Sequence, residues 1–391
     1  MNLKLDYNSI KAMVSPFAEK IPSGQYIVDM LANQLDWKKL LKLGQDEVVG
    51  LDIGSSAVKI VQLQKNNTGC KVTAAAIADI ESADEGDYGA EEVNTAGAIR
   101  KCLESTGVET RLAVCSVCGP EVATRNFRFP SLPPGEIEPA VLLEAGQVCP
   151  FNVDDSYVDY QLIPDGEDNV SGVLVAATNK LVERKRRLAE DASLNIVLVD
   201  IDGLALLNCL VEYRKGSAEH EIDRPAAILN VGSSFTNLAI MAGTAGDNGL
   251  PFIRDIAYGD DDIVKHVAAE HNLPTETVRK ILSGCETSQQ PQELGGSLAG
   301  ACQKLITDVT ETLRYYTAQG NSAAVERVLV CGGFALVEGF VELLDSRLPA
   351  GASLWNPFDR MTCEDGQPWK DIIRKDGPAM AVAAGLAMRS I

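Results

Sequence analysis

The sequence predicts an α/β fold built as two related halves around a cleft, and three observations predict it. A strand–turn–strand unit centred on Gly-Ser-Ser occurs twice, short β-branched runs alternate with helical stretches, and a late strand runs into a double glycine. The chain has 391 residues, 46% hydrophobic and 23% charged. At roughly 150 residues per domain this length allows two or three units, each large enough for its own core.

The first 46 residues differ from the rest. They hold six Lys against five Asp and Glu, a net +1, so the other 345 residues carry −21 of the total −20. From Gln25 to Leu43, Ile27, Met30, Leu31, Leu35, Leu40 and Leu41 fall at near-helical spacing, with Trp37 beside Lys38, Lys39 and Lys42. This reads as a helical extension that either packs on its own domain or docks on a partner or a headgroup region.

From Glu47 the texture changes. Val48 to Asp52 and Ala57 to Leu63 are strand-like, Asp84-Glu-Gly-Asp87 is a solvated acidic loop, Glu91 to Ser105 is an amphipathic helix and Arg111 to Val117 a strand. Phe129-Pro-Ser-Leu-Pro-Pro-Gly135 breaks the pattern. Beyond it a helix near Ile137 to Val148, strands near Tyr157 to Ile163 and Gly172 to Ala177, and a charged helix from Lys180 to Ala192 form a compact inserted unit at about 130–195. Arg224 to Met241 returns to two β-rich runs. Helical signal follows over Asp262 to His271, Pro274 to Leu282 and Leu298 to Gln319, then a strand, Val328 to Cys331. A small-residue helix opens at Pro378 and runs to Met388. The expected organisation is therefore an extension at 1–46, a first domain at 47–223 carrying the insert, and a second domain at 224–391 whose final helix returns toward the first.

The two units are Val48-Val-Gly-Leu-Asp-Ile-Gly-Ser-Ser-Ala-Val-Lys-Ile-Val-Gln-Leu63 and Ala226-Ala-Ile-Leu-Asn-Val-Gly-Ser-Ser-Phe-Thr-Asn-Leu-Ala-Ile-Met241. At an offset of 178 they share Leu, Gly, Ser and Ser in register, which marks an internal duplication. Gly54 and Gly232 allow close backbone approach, and successive N–H groups of such a turn form a concave cradle for phosphate oxygens. One such turn alone reads as an ordinary hairpin; two in matching contexts can pinch a polyphosphate. Asp52 can hold magnesium through its waters, and Lys59 offsets phosphate charge if it faces inward. At Gly332 and Gly333 the backbone can lie flat against adenine or ribose.

Other chemistries are excluded or weak. A net charge of −20 repels phosphate backbones, so a nucleic-acid binder is not expected. The ten cysteines are scattered and no secretory leader precedes them, which reads as reduced thiols in a cytoplasm. Cys115 and Cys118 sit in a strand-like run with no second pair at ligand spacing, and read as core. No run reaches the roughly 18 apolar residues needed to span a bilayer. There is no Gly-x4-Gly-Lys-Ser/Thr loop, Ser56-Ala-Val-Lys59 lies in a hairpin, and His266 and His271 are five apart, not an i, i+4 zinc pair.

With these motifs in place, the chain from about Glu47 to Ile391 resembles the actin and sugar-kinase ATPase fold, and within it the type IV pilus assembly PilM family, related to the division protein FtsA. The resemblance rests on Gly50 to Lys59, Leu143-Glu-Ala-Gly-Gln-Val-Cys-Pro-Phe151 leading to Val158-Asp-Tyr-Gln161, Val199-Asp-Ile-Asp-Gly-Leu-Ala205, Arg254 to Asp260, and Cys331-Gly-Gly-Phe-Ala-Leu-Val-Glu-Gly339. It implies ATP and magnesium in the cleft, held by Asp52, Gly54, Ser55, Ser56 and Lys59 in the first unit, Asn230, Gly232, Ser233, Ser234 and Thr236 in the second, Gly259, and Gly332 with Gly333. Asp52 is the metal residue, through water. The resemblance further implies a cytoplasmic scaffold at the inner membrane that grips the cytoplasmic N-terminal peptide of a PilN-like protein and joins the PilN/PilO alignment complex; slow hydrolysis or none is expected from Asn230. Self-association belongs to the filament-forming alternative below, and membrane contact is indirect or through residues 1–46. Asn230 replaces the Asp that is common there, a neutral amide that adds no charge for magnesium. The alternative readings are a metabolic kinase of the same fold and an FtsA- or MreB-like filament-forming ATPase.

Overall fold

The structure, a computed structural model, describes residues 48–389 apart from 67–68, 84–85, 164–168, 216–223, 242–249, 285–290, 320–322 and 365. The expected helix at 25–43 lies outside the described residues.

The first half opens with β1 (Val48–Ile53), β2 (Ala57–Asn66) and β3 (Gly69–Asp79), followed by α1 (Tyr88–Thr106) and β4 (Leu112–Val117). Then come β5 (Val122–Pro130), α2 (Pro134–Val148), β6 (Ser156–Ile163), β7 (Asn169–Thr178), α3 (Asn179–Asp191), β8 (Asn195–Ile201) and α4 (Asp202–Arg214). The second half comprises β9 (Ala226–Val231), β10 (Thr236–Met241), β11 (Phe252–Ile256), α5 (Asp260–His271), α6 (Thr275–Leu282), α7 (Pro291–Ala301), α8 (Gln303–Ala318) and β12 (Arg327–Cys331). It continues through α9 (Phe340–Arg347), β13 (Gly351–Leu354), β14 (Thr362–Cys363), α10 (Trp369–Lys375) and α11 (Ala381–Ala387).

The duplication extends to topology. One sheet runs β14-β3-β2-β1-β4-β8 and the other β11-β10-β9-β12-β13. In both, an antiparallel meander of three strands is continued by two parallel strands. Cross-strand register keeps the copies equivalent: Asp52 lies opposite Lys59, and Asn230 opposite Asn237.

Both sheets are covered on two faces, so β1 and β9 read as continuous apolar runs rather than alternating ones. Val49, Leu51 and Ile53 pack toward α1 and the end of α3, and Leu229 and Val231 toward the helices of the second half. The remaining faces share a single core: Val61 and Leu63 from the first sheet, Ile228 and Ala239 from the second, and α4 and α11 between them. The last helix thus enters the first half. It approaches so closely that a Cβ on Gly385 would lie 1.8 Å from the Ala205 carbonyl oxygen, and one on Gly50 2.0 Å from that of Ala383.

The insert is a separate three-stranded sheet, β5-β7-β6, with a small core of Phe127, Val141, Ala145 and Leu174. It begins at Val122 rather than near 130, because β5 pairs with β7 over Val122 to Pro130. The expected boundary near 195 is displaced as well. The helix α3 buries Leu188 and Ala189 in the core of the first sheet and so belongs to that layer. The long helix expected from Leu298 to Gln319 is two helices meeting at Cys302, and the residues around Pro378 form a 3-10 turn ahead of α11. Among the described residues, no helix is long and apolar enough to cross a membrane, and nine cysteines are free thiols.

Candidate functional site

The two Gly-Ser-Ser turns close in the same way. The Gly54 amide donates to the Ala57 carbonyl at 3.1 Å, and the Gly232 amide to that of Phe235 at 3.0 Å. A Cβ on either glycine would meet that same carbonyl oxygen at 2.9 Å, so each turn is shaped around a missing side chain. The turns also meet: the Ser55 and Ser234 hydroxyls share a hydrogen bond at 2.9 Å, across 179 residues of sequence.

They line one cavity of about 310 Å³. Asp52, Gly54, Ser55, Ser56 and Lys59 come from the first unit, Asn230, Gly232, Ser233 and Ser234 from the second, and Gly332 and Gly333 from the end of β12. Gly332 has φ +93°, a conformation that side-chain-bearing residues rarely adopt, and its amide is held by the Pro378 carbonyl at 2.8 Å. Two expected residues do not line the cavity. Thr236 is fully buried and donates to the Tyr258 carbonyl at 2.8 Å. Gly259 packs beneath the second turn, where the next two amides, those of Asp260 and Asp261, donate to the Gly232 and Ser233 carbonyls, each at 2.9 Å. Both residues shape the second turn from behind.

Charge distinguishes the two copies. In the first, Lys59 and Asp52 form an ion pair at 3.3 Å with both side chains mostly buried. At the equivalent pair in the second, Asn230 Nδ2 donates to Asn237 Oδ1 at 2.9 Å. The amide chain continues as Asn237 Nδ2 donates to Asp255 at 2.8 Å, and Asp255 also accepts the Gly119 amide of the first half at 2.7 Å. Burial pushes the Asp255 carboxyl upward, while these two donors pull it down. The hydroxyls of Ser233 and Ser234 donate to Asp261 at 3.1 and 3.3 Å, and Arg279 forms ion pairs with Asp260 and Asp261.

Four further groups escaped sequence reasoning. Ser116 Oγ donates to Asp202 at 2.6 Å, and both line the cavity. Cys118, expected in the core together with Cys115, instead lies just past β4 at the cavity wall, and Lys185 on α3 lines the cavity too. The Asp202 carboxyl is pushed up to about 6, first by burial, then by the Asp52 charge. Val199-Asp-Ile-Asp-Gly-Leu-Ala205 marked this segment, but nothing local showed that α4 aims its first residue into the cleft.

A pH-dependent stability follows. The folded chain holds the Asp202 proton more tightly than the unfolded chain, where Asp titrates near 3.9. Between about pH 4 and 6 the native state therefore binds more protons, so this group lowers stability as pH rises and the penalty is complete above about 6. Asp202→Asn, which still accepts from Ser116, is expected to raise the melting temperature by a few degrees at pH 8 and to leave it unchanged near pH 4. Scanning calorimetry across that range checks both limbs.

Two copies of one α/β unit, facing each other over a cleft with a Gly-Ser-Ser turn from each, define the actin-like class of folds. A family model described as type IV pilus assembly protein PilM matches residues 50–391, and the chain belongs to that family. Among solved structures it is similar to a PilM–PilN type IV pilus biogenesis complex, at 23% identity over 89% of this chain and 99% of that one, with a TM-score of 0.75. A diol dehydratase-reactivating factor in nucleotide-free form is similar at 11% identity over 87% and 98% of the chains, TM-score 0.50. The ethanolamine utilization protein EutJ from Carboxydothermus hydrogenoformans is similar at 16% identity over 87% and 88%, TM-score 0.48.

Proposed function

We propose that the cleft binds ATP with magnesium, and that the nucleotide-bound chain is a cytoplasmic scaffold for type IV pilus assembly, peripheral to the inner membrane. Its partner in this reading is the cytoplasmic N-terminal peptide of a PilN-like protein, through which it joins a PilN/PilO alignment complex. The observation that carries the nucleotide half is the Ser55–Ser234 contact, which sets the two turns against each other in one cavity.

The residues suit a polyphosphate. Among the described residues the amides of Ser55, Ser56, Ser233 and Ser234 donate to no backbone carbonyl, so they are available as cradle donors. Lys59 and Lys185 add positive charge at the cavity wall. A phosphate between the turns replaces the Ser55–Ser234 hydroxyl contact with charge-assisted hydrogen bonds, which are the stronger kind. Asp52 and Asp202 supply carboxylates on which the waters of a magnesium ion can rest. Magnesium would neutralise phosphate charge. Asn230, already engaged with Asn237, adds none, and this favours retention of nucleotide over rapid turnover. Gly332 and Gly333 leave bare backbone at the cavity wall for the nucleoside.

The partner half is supported by membership of the PilM family and by likeness to a complex that contains PilN. Fluorescence anisotropy of a labelled PilN-like N-terminal peptide against the full chain, with and without magnesium ATP, tests it. Micromolar binding is expected. A flat titration in both conditions removes the scaffold reading, and consumption of ATP that rises with an added small-molecule acceptor would replace it with a kinase.

A further inference from the structure

We propose that Lys185 is a phosphate ligand for the nucleotide and ties its presence to the inserted sheet, an inference that rests on the nucleotide-binding reading above. Three cationic side chains from outside or within the first turn's hairpin line the cavity: Lys59, Arg184 and Lys185. Two of them are already committed to carboxylates. Lys59 is paired with Asp52, and Arg184 with Glu91 at 2.9 Å and Glu92 at 3.4 Å. Lys185 instead donates to the carbonyl of Ile53, the last residue of β1 and the neighbour of Gly54. A neutral carbonyl holds an ammonium less strongly than a charged phosphate oxygen does. A polyphosphate settling on the first turn can therefore recruit Lys185 without breaking an ion pair.

The backbone behind Lys185 leads straight to the insert. Thr178 ends β7 and Asn179 begins α3 with no residue between. That junction is fastened on both sides: Thr178 Oγ1 accepts from the Leu181 amide at 3.3 Å and donates to Glu121 at 2.8 Å, while its amide donates to the Glu121 carbonyl at 3.0 Å. β7 is the central strand of the inserted sheet, paired with β5 on one side and β6 on the other. The far end of α3 is anchored by Leu188 and Ala189 in the first core. Because Thr178 fastens the start of α3 to the end of β7, a shift of Lys185 from Ile53 to phosphate pulls on the N-terminal turns of α3 and the middle strand of the insert together. The phosphate state of the cleft is in this way sensed by a sheet that itself makes no part of the Gly-Ser-Ser turns.

The test uses the full chain, magnesium ATP and adenosine. By isothermal titration, K185Q is expected to weaken ATP by about 10- to 100-fold, the worth of a charge-assisted hydrogen bond, with adenosine affinity within about twofold of wild type and K185R close to wild type for both. Hydrogen exchange across residues 156–163 and 169–178 is expected to change with ATP in the wild type, and not in K185Q at saturating ATP. Equal ATP affinity in K185Q and wild type, equal weakening of ATP and adenosine, or the same exchange response in both chains overturns the role of Lys185 while leaving nucleotide binding intact. A wild-type chain that binds no ATP overturns the nucleotide reading and this inference with it.

Discussion

Replacing Gly385 by alanine is expected to lower the urea midpoint of the chain steeply and to cut its soluble yield. The added Cβ would lie 1.8 Å from the Ala205 carbonyl oxygen and 2.4 Å from its carbon, both backbone atoms that no rotamer change can move. Relief requires α11 to back away from α4, and α11 is buried along its whole length: Ala381 to Ala387 all lie in the interior. The same helix rests on Gly50 of β1, so displacing it opens the core shared by both sheets. Overpacking in cores usually costs about 1–3 kcal/mol, and a clash between two backbones belongs at or beyond the upper end, a large part of the stability of a marginally stable fold. Soluble yield and the urea midpoint check this. A Gly385→Ala chain with wild-type midpoint and yield would show that α11 does not hold the halves together.

The second large effect concerns ligand rather than fold. Gly54→Val and Gly232→Val each place a side chain against the carbonyl that closes the turn, at Ala57 or Phe235, and so deform the cradle. Both turns are at the cavity surface, where the fold tolerates local change better than at α11. The expected result is a folded chain without ATP stabilisation. For the wild type at ATP 100-fold above its dissociation constant, the gain on binding is about 2.7 kcal/mol, read as a rise in melting temperature, and each valine variant should lose nearly all of it. If only Gly54→Val loses it, the nucleotide is held by one turn, and the pinch between two halves is wrong.

What could be read from sequence, and what could not, follows from how local each signal is. The two hairpins were legible because β-branched residues, a Gly-Ser-Ser turn and an exact repeat of spacing all agree within sixteen residues. The same offset that carries Asp52 to Asn230 carries Lys59 to Asn237, so the second cross-strand pair was recoverable from the duplication alone. β3 was not legible: its middle is Thr73-Ala-Ala-Ala-Ile-Ala78, and alanine has little strand preference. β5 was hidden by Arg125, Asn126 and Arg128, which face outward or toward other elements on a sheet with a small core, and Asn126 bonds the Pro251 carbonyl at 2.9 Å. Asp202, Asp255 and Lys185 reach the cleft region from three different elements, α4, β11 and α3. Their convergence is a property of the tertiary packing, and no spacing within the chain announces it. Thr236 and Gly259 illustrate the reverse case: their place in the motif is right, but pairing and packing turn them behind the turn rather than into the cavity.

Whether the two turns grip one polyphosphate can be seen in a crystal structure of the full chain grown with saturating magnesium ATP. Phosphate density is expected between residues 54–56 and 232–234, with the Ser55 and Ser234 hydroxyls, now 2.9 Å apart, separated by phosphate oxygens. Nucleotide bound elsewhere, or an unchanged Ser55–Ser234 contact in crystals saturated with ATP, would contradict it.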